Sequence, residues 1–322
     1  MLCVDPALSY ALLHGDLSID ACRCIVVFMQ RHLLAYIHPS HMHVSVHVVN
    51  LETGHEEFSM INHHQSIVGI SMHYPYLYLS ALHGSISVLH VPTRQTLFEF
   101  PAPMHSVTIL QCIAHTSHYT LLGSGFGLNL FVWHVWPAQK IKRLRYLLSH
   151  DDIIEDMTAA GAHAATTAQD FTICVWQIEQ GQLLYKLAGC FGSYITMAPS
   201  GQYLSGIMAR ERWCIWDLQT GHCVAEQSVM DDTMQLHFHP TQRRVLGVQK
   251  DLRQQATIMY DWDTTALLPP FVHDSDPLVP PTPIRPPRVW TRPDVVCDAV
   301  WLQRGATTHI TCRQTHDVYN VV

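Results

Sequence analysis

A fixed repeat restricts a chain more than any single element does, and six short alternating runs recur here at nearly constant spacing. Thr172-Ile173-Cys174-Val175-Trp176-Gln177 aligns with Arg212-Trp213-Cys214-Ile215-Trp216-Asp217, and each is followed by a glycine, Gly181 or Gly221, five residues after its anchor tryptophan, Trp176 or Trp216. The same frame fits Val44 to Asn50, Ser85 to Val91, Leu130 to Val135 and Thr257 to Asp261. The anchors Val49, Leu89, Trp133, Trp176, Trp216 and Tyr260 lie 40, 44, 43, 40 and 44 residues apart.

Each period subdivides in the same way. The second contains Gln65 to Ser71, Tyr76 to Ser80, the run at Leu89, and Thr96 to Phe100, separated by Pro75, His83-Gly84 and Pro92-Thr93. Runs rich in β-branched and aromatic residues between such turn signals predict four short strands per period. No stretch sustains a helical period over 12 residues.

A period of this length with a Trp-Asp signature, Trp216-Asp217, resembles the WD-repeat family of β-propellers. The resemblance covers residues 20 to 322 and implies an all-β fold: a seven-bladed propeller with four antiparallel strands per blade. It further implies that His150, Thr166 (or Thr167), Asp170 and Trp176 form a buried hydrogen-bonded set bracing one blade. The Asp position reads His43, His83, Gly127, Arg210 and Gln254 elsewhere, so the other aligned blades are expected to lack that brace.

A single domain over residues 1–322 follows, with blades at about 22–60, 61–100, 101–148, 149–189, 190–229, 230–268 and 290–322. The last has three strand-like runs, and residues 7–14 supply an expected fourth strand that closes the ring and removes free edges. Residues 269–293 hold nine of the eighteen prolines. Because proline lacks a backbone donor, they are expected to form a loop insertion and not a central strand.

Charged residues make up only 14% of the chain and apolar ones 48%, which excludes a disordered chain. No apolar run approaches the roughly 20 residues of a spanning helix, and Met1 to Pro6 lacks the order of a secretory signal. The expected location is intracellular, cytoplasmic or nuclear. A net charge of −7 argues against a general nucleic-acid grip, although protonation of the 24 histidines would reverse its sign. The ten cysteines include no Cys-x-x-Cys, and Cys174 and Cys214 sit in apolar runs, as reduced structural thiols do.

Several motifs have two readings. Gly123 to Gly127 looks like a phosphate loop, but a strand follows where a helix is needed, so a hairpin turn is the simpler account. His150, Thr166 and Asp170 have hydrolytic residue types, yet as a brace they would be buried under Trp176. His41, His43 and His47 alternate along one strand and could offer imidazoles to a metal, as His237 and His239 do more weakly, but no Cys or carboxylate partner is marked beside them. Lys140, Lys142, Arg143 and Arg145 suit either an acidic partner or a solvated outer strand. Pro280, Pro283 and Arg285 have the spacing of a polyproline ligand.

No nucleophile with its base, metal cage or cofactor cradle is assembled, so no cofactor and no small-molecule substrate is expected. The expected function is a non-catalytic scaffold for other proteins within a larger complex. The resemblance places its partner contacts beside the inter-strand turns, at Met42, Leu82, Phe126, Gln169, Ala209 and Arg253. Two alternatives remain open: a substrate-recognition subunit of a ubiquitin ligase, and a histidine-rich metal-binding enzyme.

Overall fold

The computed structural model describes residues 24–28, 33–39, 44–50, 53, 55–62, 67–82, 84–103, 107–125, 127–139, 141–148, 150–198, 200–208, 212–228, 235–238, 244–251, 256–264, 282–283, 288–293, 299–304, 307–312 and 318–321. Two compact units make up the chain, residues 1–148 with 302–322 and residues 149–301.

In the first unit, β1 (Cys24–Phe28), β2 (Leu33–Pro39), β3 (Val44–Asn50) and β4 (Glu56–Asn62) pair in chain order as an antiparallel sheet. The same meander recurs in β5 (Ile67–His73), β6 (Tyr76–Ala81), β7 (Ser85–His90) and β8 (Gln95–Pro101), and again in β9 (Ile109–Ala114), β10 (Tyr119–Ser124), β11 (Asn129–Trp136) and β12 (Ile141–Leu148). Each sheet buries apolar side chains against the next. Val46, Val48 and Phe58 meet Ile70, Leu77 and Leu89 between the first and second sheets, and Tyr78, Val88 and Phe100 meet Leu121, Phe131 and Trp133 between the second and third.

The second unit repeats the plan. Its sheets are β13 (Ile154–Ala160), β14 (His163–Ala168), β15 (Thr172–Gln177) and β16 (Gln182–Ala188), then β17 (Cys190–Met197), β18 (Tyr203–Met208), β19 (Arg212–Asp217) and β20 (Cys223–Ser228). Between them Ile173, Val175, Ile195, Leu204 and Trp216 form one apolar layer. Polar bonds add to that layer: Asp156 and Thr158 accept from the Ile195 and Met197 amides at 3.1 and 3.2 Å. Gly201 marks a close approach between the two sheets, since its φ of +71° and the Ala160 carbonyl crowding the place where a Cβ would stand admit only glycine.

The sixth sheet departs from the sequence expectation. It contains β21 (Gln235–Phe238), β22 (Arg244–Asp251) and β23 (Ala256–Asp263), but its fourth strand is β25 (Arg288–Pro293), inside the segment expected to be a loop. A two-residue strand β24 (Thr282–Pro283) also adds in parallel to β20, giving the fifth sheet five strands. Both prolines lie in edge strands, where a missing amide donor costs no ladder bond on the open side. The last strands, β26 (Ala299–Arg304), β27 (Thr307–Cys312) and β28 (Val318–Val321), form a three-stranded sheet. The partner strand expected from residues 7–14 lies outside the described residues.

Among the described residues the architecture is therefore all-β, built mainly of four-stranded antiparallel sheets in a propeller-like plan. One irregularity recurs at the sequence anchors: the third and fourth strands shift register between Val48 and Val49, Val88 and Leu89, Val175 and Trp176, and Ile215 and Trp216. Each shift places two residues of the outer strand against one of its partner, a β-bulge that sharpens the local twist. The third sheet lacks it, and β11 pairs without interruption from Asn129 to Trp136.

Candidate functional site

The brace expected in the fourth sheet is present. His150 Nδ1 donates to Asp170 Oδ2 at 3.0 Å, and its Nε2 accepts from the Thr166 hydroxyl at 2.8 Å. Trp176 Nε1 donates to the same Thr166 oxygen at 3.3 Å. A carboxylate only accepts, so Nδ1 carries the imidazole proton and the relay runs in one sense from indole to carboxylate. Asp170 also accepts from the Thr172 hydroxyl at 2.7 Å and from the Asp151 and Thr172 amides, both at 3.0 Å. Burial would raise its pKa, but the bonds from Thr172, the Asp151 amide and His150 outweigh burial and hold it at about 2. His150 and Thr166 are buried, so this set ties the turn to the strand and presents no open nucleophile.

The third sheet has a different solution at the same place. Trp133 is fully buried, and the residue at the position corresponding to the brace threonine is Gly123, where a Cβ would stand 2.7 Å from the indole ring. Space for the ring has replaced a hydroxyl acceptor. Among the described residues the Trp133 N–H has no hydrogen-bond partner.

Two of the expected contact positions, Leu82 and Gln169, lie in turns between second and third strands. Leu82 is 42% exposed beside Gly84, and Gln169 is exposed in the turn that Asp170 stabilises. Met42, Phe126, Ala209 and Arg253 lie outside the described residues, as do Pro280 and Arg285, whereas Pro283 is held in β24. Two exposed residues in these turns were not singled out from sequence: Leu128 at 45% and Phe171 at 50% exposure. Phe171 adopts a φ of +60°, uncommon for an aromatic residue, with its amide bonded to the Ala168 carbonyl at 3.1 Å. Its only sequence signal is its place directly after the bracing Asp.

The remaining motifs resolve individually. Gly123 and Ser124 end β10, and β11 follows directly, so the glycine-rich run is a hairpin turn. Lys142, Arg143 and Arg145 lie in β12, the outer strand of its sheet. His47 is engaged at both nitrogens, with Glu56 Oε1 at 2.6 Å and Ser45 Oγ at 2.9 Å, while His41, His43 and His239 lie outside the described residues.

A cleft of about 180 Å³ in the first unit is lined by Tyr76, His115, His118, Tyr119 and Trp136 with the short turn Pro137–Gln139. His118 stacks on His115 at 4.6 Å between centroids and on Trp136 at 5.2 Å, and Tyr119 meets Tyr76 edge-on at 5.2 Å. Burial raises the Tyr119 phenol pKa. Because the cleft forms where the β9–β10 turn meets the end of β11 and Tyr76 of β6, residues up to about 60 apart in sequence line it and no local motif announces it.

Comparison with known proteins finds no family profile that matches the chain. Over 105 residues, 32% of this chain, it is 27% identical to cilia- and flagella-associated protein 52 of Mus musculus and of Homo sapiens. The matched stretch spans 17% of each of those relatives. Among solved structures, the computationally designed Ika8 protein superposes with a TM-score of 0.68 at 16% identity, covering 93% of this chain and 83% of that one. This likeness concerns the fold alone.

Proposed function

We propose that the chain is a non-catalytic WD-repeat scaffold, a seven-bladed propeller closed by an N-terminal strand, that binds other proteins inside a larger assembly. The observation that carries this reading is the exposure of Leu82 and Leu128 in one unit and Phe171 in the other, all in turns between second and third strands. Exposed aliphatic and aromatic groups on these turns suit a protein partner better than a phosphate backbone. The distant similarity to a cilia- and flagella-associated protein supports the scaffold reading.

The test is co-purification from cells with wild-type chain and with Leu82→Glu, Leu128→Glu and Phe171→Glu variants of matched thermal stability. Loss of the same partners from the variants supports the reading. An unchanged set of partners refutes these turns as the contact surface.

A further inference from the structure

The bulge between Ile215 and Trp216 does more than twist the fifth sheet. In an uninterrupted ladder continuing from Cys214–Glu226 and Ile215–Ala225, Trp216 would face Val224 and Cys223 would fall on the opposite side of the sheet from Cys214. Instead Trp216 pairs with Cys223. Val224 and Ala225 both turn toward the sixth sheet, with Trp213 and Ile215, whereas Cys223 joins Cys214 and Trp216 on the side of the fourth sheet. The bulge thereby brings three ligand-bearing side chains to one face.

The Sγ atoms of Cys214 and Cys223 and a carboxylate oxygen of Glu226 all lie within 4.8 Å of one another. We infer that these three residues form a binding site for a single borderline-soft divalent cation of the zinc type. Tetrahedral Zn²⁺ with two thiolates at about 2.3 Å and a carboxylate oxygen at about 2.1 Å spaces its donors about 3.5 to 3.8 Å apart, so small rotamer changes close the site. Three protein ligands leave a fourth position for water.

Two further features agree. The first sheet has the same bulge, and there the residues at the two corresponding positions, His47 and Glu56, are bonded at 2.6 Å, which shows that this slot brings side chains into contact. Arg212 holds one carboxylate oxygen of Glu226 at 3.1 Å, and among the described residues no hydrogen bond engages the other. Two thiolates, a carboxylate, a dication and this guanidinium sum to zero charge, and an outer guanidinium fixing a ligand carboxylate is the usual support of a metal site. Binding would release both thiol protons to solvent as the metal–sulfur bonds form.

The experiment adds Co²⁺ to the full, freshly reduced chain under anaerobic conditions. The expected spectrum has thiolate-to-cobalt charge transfer and the strong d–d bands of a tetrahedral centre, and one equivalent of Zn²⁺ bleaches it. Cobalt bound to histidines elsewhere lacks that charge transfer. Cys223→Ser, at a partly exposed position, should abolish the charge transfer; Glu226→Gln should keep it but bind at least about tenfold more weakly; Cys112→Ser should leave it unchanged. Weak octahedral bands alone, or a spectrum unaltered in Cys223→Ser and Glu226→Gln, would overturn the assignment. So would peptide mapping of rapidly alkylated protein that recovers Cys214 and Cys223 as a disulfide.

Discussion

Replacing Asp170 by Asn isolates the charge at the centre of the brace while keeping its size. The carboxylate receives hydrogen bonds from His150, Thr172 and the Asp151 amide, and its pKa is lowered from 3.8 to about 2. A carboxylate whose folded pKa lies below its unfolded value contributes stability that is fully present above pH 3.8 and lost as pH falls toward 2. The shift corresponds to about 2 kcal/mol, or roughly 4 to 8 °C in melting temperature for a unit of this size. Asp170→Asn should therefore lower stability by about 2 kcal/mol near neutral pH, and the gap between variant and wild type should close as the solution is acidified. Thermal melts from pH 7 to 2, with amide exchange followed over residues 150–172, measure both effects. A variant that melts with wild type at pH 7, or a gap that stays constant down to pH 2, would refute the electrostatic account of the brace.

Trp176→Ala should cost about 3 to 5 kcal/mol, as loss of large buried aromatic groups does, measured by denaturant unfolding. Trp176→Phe should be worse than Trp133→Phe by about 1 kcal/mol, because only the first removes an indole hydrogen bond seen among the described residues; equal losses would count against that distinction. Gly201→Ala should destabilise the second unit by at least about 1 kcal/mol in a thermal melt, from its positive φ and the Ala160 carbonyl behind it. Replacing residues 269–280 with a Gly/Ser linker should leave the melting temperature nearly unchanged, whereas extending the replacement through Pro293 should destabilise the sixth sheet by removing β25; similar melts for both would show that β25 is dispensable.

The anchors at Val49, Leu89, Trp176 and Trp216 were legible because a turn-delimited alternation repeats, and the brace was legible because Asp170, His150 and Thr166 fall at fixed offsets from Trp176. The sixth sheet was not, since its third and fourth strands are separated by a long proline-rich connection and pairing distance is not written in local periodicity. Trp290 illustrates the point: it stands in a paired strand opposite Met259, not in a loop. The cysteine cluster escaped notice for another reason. Cys214 and Cys223 are nine apart, and strict alternation assigns them to opposite faces; only the bulge, which no residue type demands, reverses that assignment.

The recurring bulge also defines an address that protein engineering can use. In the fourth sheet Cys174 pairs with Lys186, and Leu183 faces Trp176, so these residues occupy the places that Cys214, Glu226 and Cys223 hold one repeat later. In the second sheet the corresponding residues are Ser87, Glu99 and Thr96. The backbone device is common to these repeats while the chemistry installed in it differs, so a ligand set can be written into one sheet, or erased from another, by exchanging side chains at three known positions without altering a strand.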